Sequence, residues 1–156
     1  MNLEEYQRIS QRSTSPENDN HNFYFLGIMA EIGEVAALFQ KELQYGRDWT
    51  KEQLRDELGD LTWFEVQCAR VNKIKLFEPK DTDELAPFGT SPSKRFEFLM
   101  MQPPPVHIKA IASLFAKPFG LTMEEIYDAN IAKLKLRYGE AKFADPIAPA
   151  LSLVTP

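Results

Sequence analysis

The stretch HNFYFLGIMAEIGEVAALFQKELQYGRDWTKEQLRDELGDLTWFEVQCARVN, residues 21–72, decides the fold. No proline interrupts it, and proline is the residue that most surely breaks a helix. Its first half places Phe25, Ile28, Met29, Ile32, Val35, Phe39 and Leu43 at helical spacing, which predicts a helix over about 21–45. Gly46 follows as a C-cap. Thr50 then caps a second helix over about 51–72, whose apolar positions are Leu54, Leu58, Leu61, Phe64 or Glu65, Cys68 and Val71. Two long helices joined by a short loop favour an antiparallel hairpin.

Outward from this hairpin the chain stays helical where proline is sparse. Residues 2–13 predict a short helix with Leu3 and Tyr6 on one side, and Ser13 to Asn20 is turn chemistry with several potential N-caps. Residues 77–105 are a puzzle, because six of the eleven prolines fall between Pro79 and Pro105. A lid or an oligomer arm explains such a segment, with one or two helical turns over Ser93–Met101. A helix over His107–Lys117 ends at Pro118-Phe119-Gly120. Thr122-x-x-Glu125 is a capping-box start for a last helix that runs to Arg137 before Gly139. The expected class is all-α: a four- to five-helix bundle over residues 1–142, with an irregular insertion at 74–106 and an extended tail at 143–156.

Composition narrows the function. The net charge is −5, from 23 acids and 18 bases, which argues against a general nucleic-acid binder. A single cysteine cannot form an internal disulfide, so no oxidising compartment is required. The opening MNLEEYQRIS lacks the basic start of a secretory signal, and no run of eighteen apolar residues suggests a membrane span. The expectation is an intracellular, cytoplasmic chain with no membrane partner.

The chemistry concentrates on two carboxylate pairs. Glu31-Ile32-Gly33-Glu34 and Glu57-Leu58-Gly59-Asp60 each put two acids three residues apart, on one helix face beside the apolar stripe. One such pair ordinarily marks a solvated face. Two pairs on consecutive helices, bordering stripes expected to pack together, place four acids along one seam, where they repel without a cation. Oxygen donors of this kind suit magnesium or manganese. Each pair also encloses a mid-helix glycine, which costs ~1 kcal/mol relative to alanine and leaves space beside the acids. On the last helix Asn130, Lys133 and Arg137 share a face suited to phosphate oxygens, although a cationic helix end also favours the macrodipole. His21 and His107 complete no metal motif and suit the surface or a cap. Cys68 sits on the core stripe. Trp49, Trp63, Tyr24 and Phe25 suit core positions better than base stacking.

Read in order, Glu31-x-x-Glu34, twenty-two residues, Glu57-x-x-Asp60 and then Asn130-Ile131-Ala132-Lys133-Leu134-Lys135-Leu136-Arg137-Tyr138-Gly139 resemble the MazG-like all-α nucleoside triphosphate pyrophosphohydrolases. Gly120–Ile126 and Tyr6-Gln7 are similar to the family's flanking features. The resemblance spans about residues 2–73 and 107–139; residues 74–106 depart from compact members. It implies magnesium-dependent hydrolysis of (deoxy)nucleoside triphosphates to a monophosphate and pyrophosphate, with manganese as a substitute. It also implies that Glu31, Glu34, Glu57 and Asp60 hold metal, with Glu34 as the catalytic carboxylate. Lys41, Asn130, Lys133 and Arg137 would contact substrate, and the chain would form a homodimer or homotetramer. The rival expectations are a phosphoribosyl-ATP pyrophosphohydrolase activity and a non-catalytic helical interaction protein.

Overall fold

The computed structural model describes residues 1–79, 91–102 and 104–144. The chain is all-α, and no strand occurs among these residues. The helices are α1 (Leu3–Ser10), α2 (His21–Tyr45), α3 (Lys51–Val71), α4 (Pro92–Met101), α5 (Pro104–Ala110), α6 (Met123–Tyr138) and α7 (Ala141–Ala144).

Local chemistry sets the ends of these elements. Asn2 and Asn20 cap α1 and α2 by accepting from the backbone N–H groups of Glu5 and Phe23, at 2.9 and 3.1 Å. Thr50 with Gln53, and Thr122 with Glu125, form reciprocal capping boxes at the starts of α3 and α6. Gly46 and Gly139 close α2 and α6 with φ of 78° and 86°, a region that costs other residues strain. The helix expected over 107–117 starts earlier, at Pro104. It widens into π-type turns over Ile111–Ala116 and ends in a tight 3-10 turn, Lys117–Phe119.

α2 and α3 form the expected antiparallel hairpin. Phe39 meets Trp49 near the loop, and Gly27 lies against Phe64 further along. At the far end Asp19, just before α2, pairs with Arg70. α6 and α1 pack on α3, and α5 lies against it on another side. Leu54, Leu58, Leu61, Tyr6, Tyr127, Ile126, Ile108 and Phe115 fill the shared core.

The rotation of α2 corrects one expectation. Its buried residues are Tyr24, Ile28, Ile32, Val35, Leu38 and Phe39, whereas Phe25, Met29 and Leu43 are exposed. The cause is close packing at Gly27: a Cβ there would stand 2.1 Å from the Phe64 ring, so only a glycine admits that ring against the helix. Once Phe64 occupies the Gly27 side, the stripe runs through Tyr24 and Ile28. On α3 the buried member of the Phe64/Glu65 alternative is Glu65.

By length and composition, α2 is also apolar enough to cross a membrane, with a mean hydropathy of 1.3 over an eighteen-residue window. The criterion of an unbroken apolar run missed this because Glu31 and Glu34 interrupt it. A core helix of a helical domain has the same composition, and six residues of α2 are buried against its neighbours.

Within the 74–106 segment, residues 74–79, 91–102 and 104–106 are described. Pro92–Met101 forms α4, with Leu99 buried and Phe96 stacked edge-on against Phe39. Residues 80–90 and 103 of the segment expected as a lid or arm, and 145–156 of the expected tail, lie outside the described residues.

Candidate metal centre

The antiparallel hairpin sets α2 position 31 opposite α3 positions 57 and 60. Glu31, Glu57 and Asp60 are each half-buried, and one carboxylate oxygen from each lies within 4.8 Å of the others. Glu34 is exposed one turn beyond Glu31, outside this trio. Its charge still acts on Glu31 and Glu57. Burial, then the charges of Asp60, Glu34 and Glu57, push the Glu31 carboxyl up to about 7. Burial, then Glu34 and Asp60, raise the Glu57 carboxyl as well. Both directions have the same origin, since partial burial and like charge each disfavour the ionised form.

α6 supplies the counter-groups. Lys133 Nζ pairs with Asp60 Oδ2, and Asn130 Nδ2 donates to Asp60 Oδ1 at 3.1 Å. Asn130 is buried, and its Oδ1 accepts from the Tyr6 hydroxyl at 2.8 Å. Gly59 leaves room for this contact: a Cβ there would stand 3.2 Å from the Asn130 Cβ and 3.3 Å from its Nδ2, so the amide would have to shift by a few tenths of an ångström. Gly33, by contrast, faces open space.

The other expected site residues are less central. Arg137 lines a shallow groove with Arg55, Asp56, Leu136 and Lys133, so it neighbours the cluster through Lys133. Lys41 is exposed on α2, roughly 15 Å of helix rise beyond Glu31. Trp49 and Tyr24 are core residues, and Cys68 is buried. His21 is exposed. His107 is not a surface residue: it is buried, its Nδ1 pairs with buried Glu65, and its Nε2 lies 2.8 Å from the Gln102 carbonyl. Sequence reading missed this because position 65 is one helix step from Phe64 and nothing local marks it as paired.

The donor set fits a divalent cation. Three carboxylates from two helices converge at one point, and their mutual repulsion is what a +2 ion relieves. All three donors are oxygens, which suits magnesium or manganese over softer metals. Compared with protein-family models, with curated proteins and with solved structures, the chain matches none.

Proposed function

We propose that the chain is a magnesium-dependent nucleoside triphosphate pyrophosphohydrolase, a bundle of the MazG-like type that cleaves between the α and β phosphates. One observation carries this reading: Glu31, Glu57 and Asp60 converge from α2 and α3 where Asn130 and Lys133 of α6 meet Asp60. Carboxylates for a cation and a basic group for phosphate, Lys133, thus adjoin one another, as phosphoanhydride hydrolysis requires.

In this reading Glu31, Glu57 and Asp60, with Glu34 beside them, hold magnesium or manganese. The ion would neutralise the triphosphate and make water more acidic at the reacting phosphorus. The residues of the chain do the rest. Glu34 is exposed next to the cluster and takes the proton of the attacking water. Lys133 and Arg137 lie along the adjoining groove and stabilise negative charge on the departing pyrophosphate. Asn130, fixed between Tyr6 and Asp60, holds Asp60 in place. Lys41, exposed further along α2, would be an additional phosphate contact.

We further propose a homodimer or homotetramer. Phe25, Leu26 and Met29 are exposed along α2, a run of apolar side chains that a second copy would cover.

The test is pyrophosphate release over a panel of ribo- and deoxynucleoside triphosphates, with and without magnesium. Release that requires magnesium and drops by at least ~100-fold in Glu34→Gln and Asp60→Asn is expected. No release from any nucleotide, or full activity in both variants, would sink the proposal.

A further inference from the structure

We infer that Tyr6, on α1, is a positioning residue for the acidic cluster: its hydroxyl anchors the Asn130 amide that donates to Asp60. The inference rests on the metal reading above and adds to it a residue two hydrogen bonds away from the cluster.

A carboxamide has a donor end and an acceptor end of almost the same shape, so packing alone does not choose between them. With its NH2 toward Asp60, Asn130 donates to a carboxylate; turned over, its oxygen would face that carboxylate, acceptor to acceptor. Asp60, an acceptor only, sets the sense of the amide, and the Tyr6 hydroxyl on the opposite side donates to the amide oxygen and holds it in place. That hydroxyl is 2.8 Å from Asn130 Oδ1, and Nδ2 is 3.1 Å from Asp60 Oδ1. Both Tyr6 and Asn130 are buried, so water does not substitute for either bond at low cost.

Three further features hold the relay in one geometry. The Tyr6 ring stacks on Tyr127 with centroids 4.7 Å apart and planes 19° apart, so the hydroxyl has little freedom. Gly59 leaves the space that the Asn130 side chain occupies. Lys133 engages the other oxygen of Asp60. The Asp60 carboxylate is therefore held at both oxygens, in a plane set by α6 and, through Tyr6, by α1. Groups that orient a metal ligand in this way commonly govern affinity without touching the ion.

The experiment uses the full chain and Mn2+ alone. Calorimetry and Mn2+ EPR give the dissociation constant for wild type, Tyr6→Phe, Asn130→Ala and the double variant, with thermal melts to verify folding. Expected is a roughly 10-fold weaker Mn2+ affinity in Tyr6→Phe. The double variant should be no weaker than Asn130→Ala, because Tyr6 acts only through the amide. A merely structural tyrosine would instead add its own cost whether or not the amide is present. Equal affinities of wild type and Tyr6→Phe, or fully additive losses, would overturn this inference while leaving the metal reading in place. Absence of Mn2+ binding to the wild type would overturn both. If Tyr6→Phe does not fold, Tyr6→Met, which also lacks the hydroxyl, replaces it. Gly33→Ala is the control expected to bind normally, and undiminished binding by Tyr6→Met overturns the inference.

Discussion

Between pH 4.5 and about 7 the Glu31 carboxyl keeps its proton in the folded chain and loses it in the unfolded one. The folded state binds more protons over that window, so stability without metal falls as pH rises through it. The full cost is present above about 7 and absent below 4.5. Glu31→Gln removes the cost. In EDTA it should raise Tm at pH 8 by ~2–4 °C, corresponding to about 1 kcal/mol after discounting for solvent screening at this half-exposed position, and leave Tm at pH 4 nearly unchanged. Equal shifts at both pH values would contradict the assignment. The same residue couples metal to protons: Mn2+ should bind more tightly as pH rises from 5.5 to 7.5, with protons released in calorimetry run in two buffers. At this scale sequence spacing puts Glu31 and Glu34, and Glu57 and Asp60, one turn apart on their helices. It had no access to the inequality among them, because exposure of Glu34 and burial of Glu31 depend on how α2 is rotated against α3.

The rotation of α2 belongs to the helices as units, and its mark is a glycine the stripe analysis passed over. Gly27→Ala would drive a methyl into the Phe64 ring; the expected loss is about 1–3 kcal/mol despite alanine's better helix propensity. Gly33→Ala meets nothing and should gain about 0.5–1 kcal/mol. Denaturant melts of the two variants test this, and similar signs for both would refute the packing argument. The docking of α5 has an electrostatic basis. Buried Glu65 pairs with His107, and Glu65 Oε2 has no hydrogen-bond partner among the described residues. His107→Ala leaves a carboxylate buried and unpaired, so a loss of about 3–5 kcal/mol is expected in the same melts. Adding Glu65→Leu should recover much of it. Helix ends were legible beforehand because caps are local: Thr50, Thr122, Gly46 and Gly139 act on backbone within four residues. The start of α5 was not, since Pro104 reads equally as a helix breaker and as a first-turn residue.

Over the whole molecule, acidity and exposed apolar surface need separate accounts. Four of the 23 acids are Glu31, Glu34, Glu57 and Asp60; without them the chain carries 19 acids against 18 bases. The excess negative charge thus lies where a divalent cation would neutralise it, and on the proposed reading that cation would let an acidic chain engage a polyphosphate. Among the described residues, exposed large apolar side chains are most numerous on α2, where Leu26 is 67% exposed. Sedimentation velocity should therefore find a species heavier than the 17.9 kDa chain, and Leu26→Glu should shift it toward that mass. A wild-type monomer at micromolar concentration would refute the assembly. The all-α class and the α2–α3 hairpin followed from sequence because helix periodicity, capping and proline exclusion act over a few residues. The convergence of Glu31 with Glu57 and Asp60, the Tyr6–Asn130 relay and the Glu65–His107 pair were decided only by tertiary structure. Each joins residues from different helices, and their meeting depends on helix rotation and depth, set by the packing of side chains such as Phe64 into space left by Gly27.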